Sequence, residues 1–189
     1  MSARGARAGA EALRVTLRDL GGALADAVAE RPAPLGAGDA PGPAQIAAGG
    51  PRAAGMEAEY ELLLEMILEG SRLHYGRPLT VRPGDPDLAL LLGDQLYAFG
   101  LSRLAAIGDL AAISELADVI SLLAQAHAGA NDDLARAVWE AGAVAIGWGA
   151  SAGHDAAKAL ARTEDPRADA ALARAAANVA ATVTVEPTS

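Results

Sequence analysis

The sequence has no cysteine, which excludes a disulfide framework, a thiolate zinc site and a cysteine nucleophile. Aromatic residues make up only 3% of it, and a single lysine, Lys158, stands among its basic residues. Bulky side chains of the kind that fill the space between packed sheets are therefore scarce. Hydrophobic residues reach 52%, but 49 of the 189 residues are alanine, the best helix former and a poor filler of volume. This composition predicts closely packed helices, an all-α helical bundle.

Long uninterrupted apolar runs are missing too. The most apolar windows are Leu88–Ile107, which contains Asp94 and Arg103, and Ala141–Ala152, which is short and rich in glycine. Neither reads as a transmembrane segment. Near the N-terminus, Arg14 and Arg18 interrupt the apolar stretch that a secretory signal needs, so a cytoplasmic protein is expected. With 15 basic and 24 acidic residues the net charge is −9, which repels phosphate backbones and argues against nucleic-acid binding.

Along the chain, Leu13, Leu17, Leu20, Leu24 and Val28 recur at helical spacing, which predicts an N-terminal amphipathic helix in residues 1–30, weakened by Gly21 and Gly22. Residues 31–55 are rich in proline, glycine and alanine, with almost no large apolar side chain to offset the entropy of ordering. They are expected to be a flexible linker, leaving the first helix as a tethered accessory. A helical bundle domain is expected over 56–183, with 184–189 a disordered tail.

Within that domain a helix runs from about Met56 to Leu73. Asp85-Pro86-Asp87 supplies an N-cap, a first-turn proline and a first-turn acid for the next helix, which runs to about Ile107. Gly108-Asp109 separates it from a helix that ends at His127, and Asn131-Asp132 opens another that runs into Gly147, Gly149 and Gly153. Asp165-Pro166 begins the last.

Few residues point to chemistry. Glu57, Glu61, Glu65 and Glu69 lie four apart and form one strip on a helix. Such a strip reads as a solvated face partly neutralised by Arg72, or as carboxylates able to hold Mg²⁺ together with phosphate oxygens. Asp94 sits among apolar neighbours and needs a partner, which Arg103 on the same helix is too far along and around to provide. The partner is expected from another helix. His74, His127 and His154 are scattered, with no zinc-ligand spacing. The run GASAGHDAAK lacks the order of a phosphate-binding loop and follows no predicted strand. Trp139 and Trp148, with small residues between them, fit core packing or a helix-pairing contact.

The stretch HYGRPLTVRPGDPDLALLLGDQLYAFGLSRLAAIGDLAAISELADVI resembles the first half of the trans-isoprenyl diphosphate synthases. Gly93-Asp94-Gln95-Leu96-Tyr97 matches that family's Gly-Asp-aromatic-Leu element, and Gly108-Asp109 falls where its next Gly-Asp falls. Counted from Glu59, the likeness covers about 70 of the 189 residues. It implies a bundle like part of the isoprenoid synthase fold. In that family an aspartate-rich motif chelates the Mg²⁺ that activates the allylic diphosphate, just before a basic pair.

Here the three acid positions fall on Glu65, Met66 and Glu69, and His74-Tyr75 stand in place of the basic pair. The second aspartate-rich motif has no counterpart. By this resemblance the metal candidates are Glu65, Glu69 and Asp94, and the diphosphate candidates are Arg72 and Arg77. Losing metal-assisted departure of diphosphate removes the route to an allylic cation. The helices matching Pro86 to His127 form much of the family's homodimer face, which makes Leu92, Leu96, Phe99, Leu101 and Leu104 the expected interface.

The reading that follows is a non-catalytic accessory or oligomerising subunit in isoprenoid metabolism, without a cofactor. It would pair with itself or with a catalytic prenyl diphosphate synthase. The alternatives are a minimal Mg²⁺-dependent enzyme handling isoprenyl diphosphates, or a helical scaffold unrelated to isoprenoids.

Overall fold

The computed structural model describes residues 5–31 and 40–185. The chain is all-α, as its alanine content predicts: α1 (Ala6–Leu20), α2 (Gly22–Asp26), α3 (Pro43–Ala48), α4 (Glu57–Tyr75), α5 (Pro86–Ile107), α6 (Leu110–Ala128), α7 (Asp132–Trp148), α8 (Ala152–Arg162) and α9 (Ala168–Val185), with a 3-10 turn at Pro51–Ala53. Among the described residues the extended pairing is one bridge, between Val28 and Val81.

Contacts divide the chain into two compact units, Met1–Gly49 with Ala54–Asp109, and Gly50–Ala53 with Leu110–Ser189. The bundle domain expected over 56–183 has residues in both units.

In the first unit α4 and α5 form the main helix pair. Asp85 accepts a hydrogen bond from Leu88 N at 2.8 Å, Pro86 takes the first helical position, and Gly108 closes α5 in a left-handed conformation at φ 83°. Three glycines let the two helices meet. A Cβ on Gly100 would stand 2.5 Å from Ile67 Cγ1 and 2.8 Å from the Leu63 carbonyl, and one on Gly93 would stand 2.9 Å from the His74 ring. A Cβ on Gly70 would stand 2.9 Å from the Gly93 carbonyl.

The N-terminal segment belongs to this core, which corrects the expectation of a tethered accessory. Leu13 and Leu17 of α1 and Leu24 of α2 are buried with Met66, Leu73, Val81, Leu92 and Leu96. Part of the expected linker is ordered as well: α3 buries Ala44, Gln45, Ala47 and Ala48. Alanine needs little room and gains contact by close approach, so a run without large side chains still packs. Residues 32–39 of that linker and 186–189 of the expected tail lie outside the described residues.

The second unit packs α7 against α6 and α9 around Val119, Leu122, Leu123, Leu134, Val138, Ala141 and Leu172, with Trp139 partly buried at its edge. Asn131 caps α7 by accepting from Leu134 N at 3.0 Å. The helix α8 was not expected. Ser151 starts it by accepting from His154 N at 3.1 Å, so the glycine-rich run around it is a helix cap.

By length and composition α6 is apolar enough to cross a bilayer. It nevertheless buries Glu115 together with Leu116 and Val119 in the unit's interior.

Candidate functional site: the carboxylate row of α4

The strip Glu57, Glu61, Glu65, Glu69 does follow one side of a helix, but it is not a solvated face. Glu57 is exposed at the first turn, where its carboxylate accepts from Gly55 N and is held below its ordinary value by that bond. Glu61 and Glu65 are buried, and Glu69 is 0% exposed. Periodicity alone assigns such residues to water because carboxylates seldom lie inside unless partnered. Here α1 and α3 cover them and the partners are built in.

Gln45 of α3 supplies the first. Its amide nitrogen donates to Glu65 Oε1 at 2.9 Å and to Glu61 Oε1 at 3.2 Å, while its oxygen accepts from Gly42 N at 3.0 Å. One side chain thus caps its own helix and ties it to α4. Gly9 of α1 leaves room for this contact, since a Cβ there would stand 2.2 Å from Gln45 Nε2. Arg72 Nη1 lies 3.9 Å from Glu65 Oε2 and 3.4 Å from Glu69 Oε2.

Burial pushes the Glu65 carboxyl above its ordinary value, against the pull of Gln45 and Arg72, and the nearby Glu61 and Glu69 charges add to the rise. A carboxyl raised in the folded state stabilises fully below its ordinary value of 4.5, and that contribution is lost as pH rises through the raised value. Glu65→Gln keeps an acceptor for Gln45 and removes the ionisation. As pH is raised above 4.5, the urea midpoint of the wild type is expected to fall relative to that of Glu65→Gln. Parallel midpoints would contradict it.

Glu69 is held differently, by the backbone of the turn after α4. Its Oε1 accepts from Thr80 N at 2.5 Å and Val81 N at 2.9 Å, and its Oε2 from Leu79 N at 3.0 Å. The turn in turn pairs with the N-terminal segment, Ala29 N donating to Thr80 O at 2.9 Å and Arg82 N to Ala27 O at 2.7 Å.

Of the candidates by resemblance, the structure gathers Glu65, Glu69 and Arg72. Arg77 is exposed on the turn, and Asp94 stands apart with its side chain 71% exposed. The partner expected for Asp94 from another helix is His74 of α4, whose Nε2 is 3.1 Å from Oδ1, near enough for an ion pair though not aligned as a hydrogen bond. The His74 ring stacks on Tyr97 at 5.2 Å between centroids, and burial pushes the Tyr97 phenol up to about 12. Gly93, Asp94 and Tyr97 therefore all meet α4, at Gly70 and His74. Among the described residues no group of three or more His, Asp and Glu side chains is arranged to hold a metal.

The interface expectation is corrected for three residues. Leu92, Leu96 and Leu104 are buried in the chain's own core, because the α5 face they share is the one that α4 covers. Phe99 and Leu101 are half-buried. The outward face carries Leu90, Leu91, Gln95, Ala98, Ser102, Ala105 and Ala106, with Leu91 66% exposed.

A second polar cluster, in the other unit, escaped sequence reasoning. Glu115 of α6 sits between His154 Nε2 and Lys158 Nζ of α8, each at 2.6 Å, and Asp118 binds Lys158 at 2.8 Å and Arg162 at 2.6 Å. The available signals were the only lysine and a lone glutamate in an apolar helix. A cavity with room for about one water molecule lies beside it, lined by Ser151, His154 and the apolar Ala141, Val144 and Val179.

Compared with protein-family models, with curated proteins and with solved structures, the chain matches none.

Proposed function

We propose that this chain is a non-catalytic helical subunit of isoprenoid metabolism that associates through the outward face of α5. The observation that carries the non-catalytic part is the engagement of Glu65 and Glu69. Gln45 uses one, and three backbone N–H groups use the other, so the carboxylates nearest to the family's metal motif are tied to the chain's own polar groups. A Mg²⁺-dependent ionisation needs them free to coordinate.

The link to isoprenoids rests on the resemblance, in which Gly93 and Asp94 have a packing reason to occur together. The glycine admits α4 and the aspartate faces His74. The association rests on Leu90 and Leu91, large apolar side chains left in water beside Ala98, Ser102 and Ala105, whose small size lets a second helix approach closely.

Sedimentation velocity with Leu91→Arg tests this. The wild type is expected to sediment as a dimer, or as a complex with a prenyl diphosphate synthase when one is added. Leu91→Arg is expected to remain a monomer with an unchanged circular dichroism spectrum, because its side chain is outside the core. A wild type that is monomeric at micromolar concentration and leaves a prenyl synthase's sedimentation and turnover unchanged would defeat the proposal.

A further inference from the structure

Three consecutive backbone N–H groups, from Leu79, Thr80 and Val81, converge on the two oxygens of one carboxylate at 3.0, 2.5 and 2.9 Å. Successive amides turned to a common point form a concavity that selects anions. Its charge is assisted by Arg72, 3.4 Å from Glu69 Oε2, and opposed by Glu65, which shares the same guanidinium at 3.9 Å. A further group is left over. Thr80 is 0% exposed and its Oγ1 has no hydrogen-bond partner among the described residues, although it lies three bonds from the N–H that reaches Glu69. A buried hydroxyl without a partner is uncommon and carries a desolvation cost. Three amides and Arg72 share the two oxygens of the carboxylate. A tetrahedral oxyanion has four.

We propose that the turn Leu79–Val81 is an oxyanion site of phosphate class and that Glu69 is its tethered occupant. In the wild type an incoming anion competes with a carboxylate attached to the same chain, whose effective concentration is high, so Glu69 closes the site as well as bracing the turn. Removing the carboxylate leaves three converging N–H groups and Arg72 for an external anion, with the unpartnered Thr80 hydroxyl carried on the same turn. This inference does not depend on the subunit reading above, because it concerns the inside of the first unit and is read without a partner.

The test is thermal unfolding of full-length Glu69→Ala in sodium phosphate, sodium acetate and sodium chloride at matched ionic strength. In chloride the variant is expected to melt roughly 10 °C below the wild type, since several buried N–H groups lose their acceptor. Phosphate in the millimolar range is expected to restore at least half of that loss, while the wild type shifts by the same small amount in all three salts. Adding Thr80→Val to Glu69→Ala is expected to weaken the phosphate response several-fold and leave the acetate response in place, and Thr80→Val alone is expected to be nearly neutral.

If Glu69→Ala does not fold in chloride, circular dichroism in phosphate decides: recovered helicity supports the site, and continued disorder overturns it. A Glu69→Ala protein as stable as the wild type in chloride, or one that phosphate moves no more than it moves the wild type, also overturns it.

Discussion

Gly100→Val is expected to cost the first unit about 3 kcal/mol or more, among the largest effects of any single methyl-bearing substitution in it. Glycine inside a helix is normally unfavourable by about 1 kcal/mol relative to alanine, so propensity alone favours replacing it. Packing reverses the sign. A Cβ at position 100 would stand 2.5 Å from Ile67 Cγ1 and 2.8 Å from the Leu63 carbonyl oxygen. The isoleucine can change rotamer, but the carbonyl is part of the α4 backbone and yields only if the helix moves.

Moving α4 disturbs Glu65 and Glu69 with it, so the loss extends beyond the contact itself. Gly100→Ala is expected to lose less, about 1 kcal/mol net, the overpacking being partly offset by propensity. Gly84→Ala is the control. Nothing lies within 4 Å of its built Cβ, and it is expected to be neutral or slightly stabilising. Urea midpoints followed by far-ultraviolet circular dichroism give all three, and a Gly100→Val protein within about 0.5 kcal/mol of wild type would show that α4 and α5 do not meet as closely as described.

The same crossing shows which parts of the fold were legible. Caps and stops were readable because their chemistry is local. Asp85, Pro86, Gly108 and Asn131 act where the sequence placed them, since a side-chain oxygen needs only the next turn's N–H. The start of the last helix was only approximately readable. Asp165 accepts from Arg167 N and forms a turn, so α9 begins at Ala168.

What stayed hidden depends on partners distant in the sequence. The glutamate row reads as a wet face until Gln45 and the amides of Leu79–Val81 are brought to it. The α3 helix was hidden because alanine and glycine give no amphipathic pattern, though Ala44 and Ala47 are fully buried. In α5 the opposite holds: leucines fall on every side of the helix, so the pattern does not separate a buried face from an open one. Only the packing distinguishes Leu92, turned to α4, from Leu91, turned to water.

Lys158→Met is expected to destabilise the second unit by about 3–5 kcal/mol, the scale for breaking a buried ion pair from one side. The lysine is buried and its Nζ reaches Glu115 at 2.6 Å, Asp118 at 2.8 Å and Asp155 at 3.5 Å. Without it Glu115 keeps only His154, and the two acids of α6 lose the cation between them. Exchanging Glu115 as well, in Glu115→Leu with Lys158→Met, is expected to recover part of the loss, because the charge left unpaired by the single change is gone and Asp118 still has Arg162.

The pH dependence carries the same signature. Burial alone would raise the Asp118 carboxyl, but its bonds to Lys158 and Arg162 outweigh that and hold it below its ordinary value. Its stabilisation is present above 3.8 and is lost as pH falls through the lowered value. Burial alone would lower Lys158, but Asp118 and Glu115 outweigh it and raise the ammonium above 10.5. Its stabilisation is present below that value and is lost as pH rises through the raised one.

The second unit is therefore expected to show a broad plateau with losses at both extremes, and Lys158→Met is expected to flatten both shoulders. Trp139 and Trp148 both lie on α7, so tryptophan fluorescence during urea unfolding reports this unit selectively. A Lys158→Met protein that stays within about 1 kcal/mol of wild type at neutral pH, with both shoulders intact, would mean that the network is held together by the packing around it and contributes little of its own.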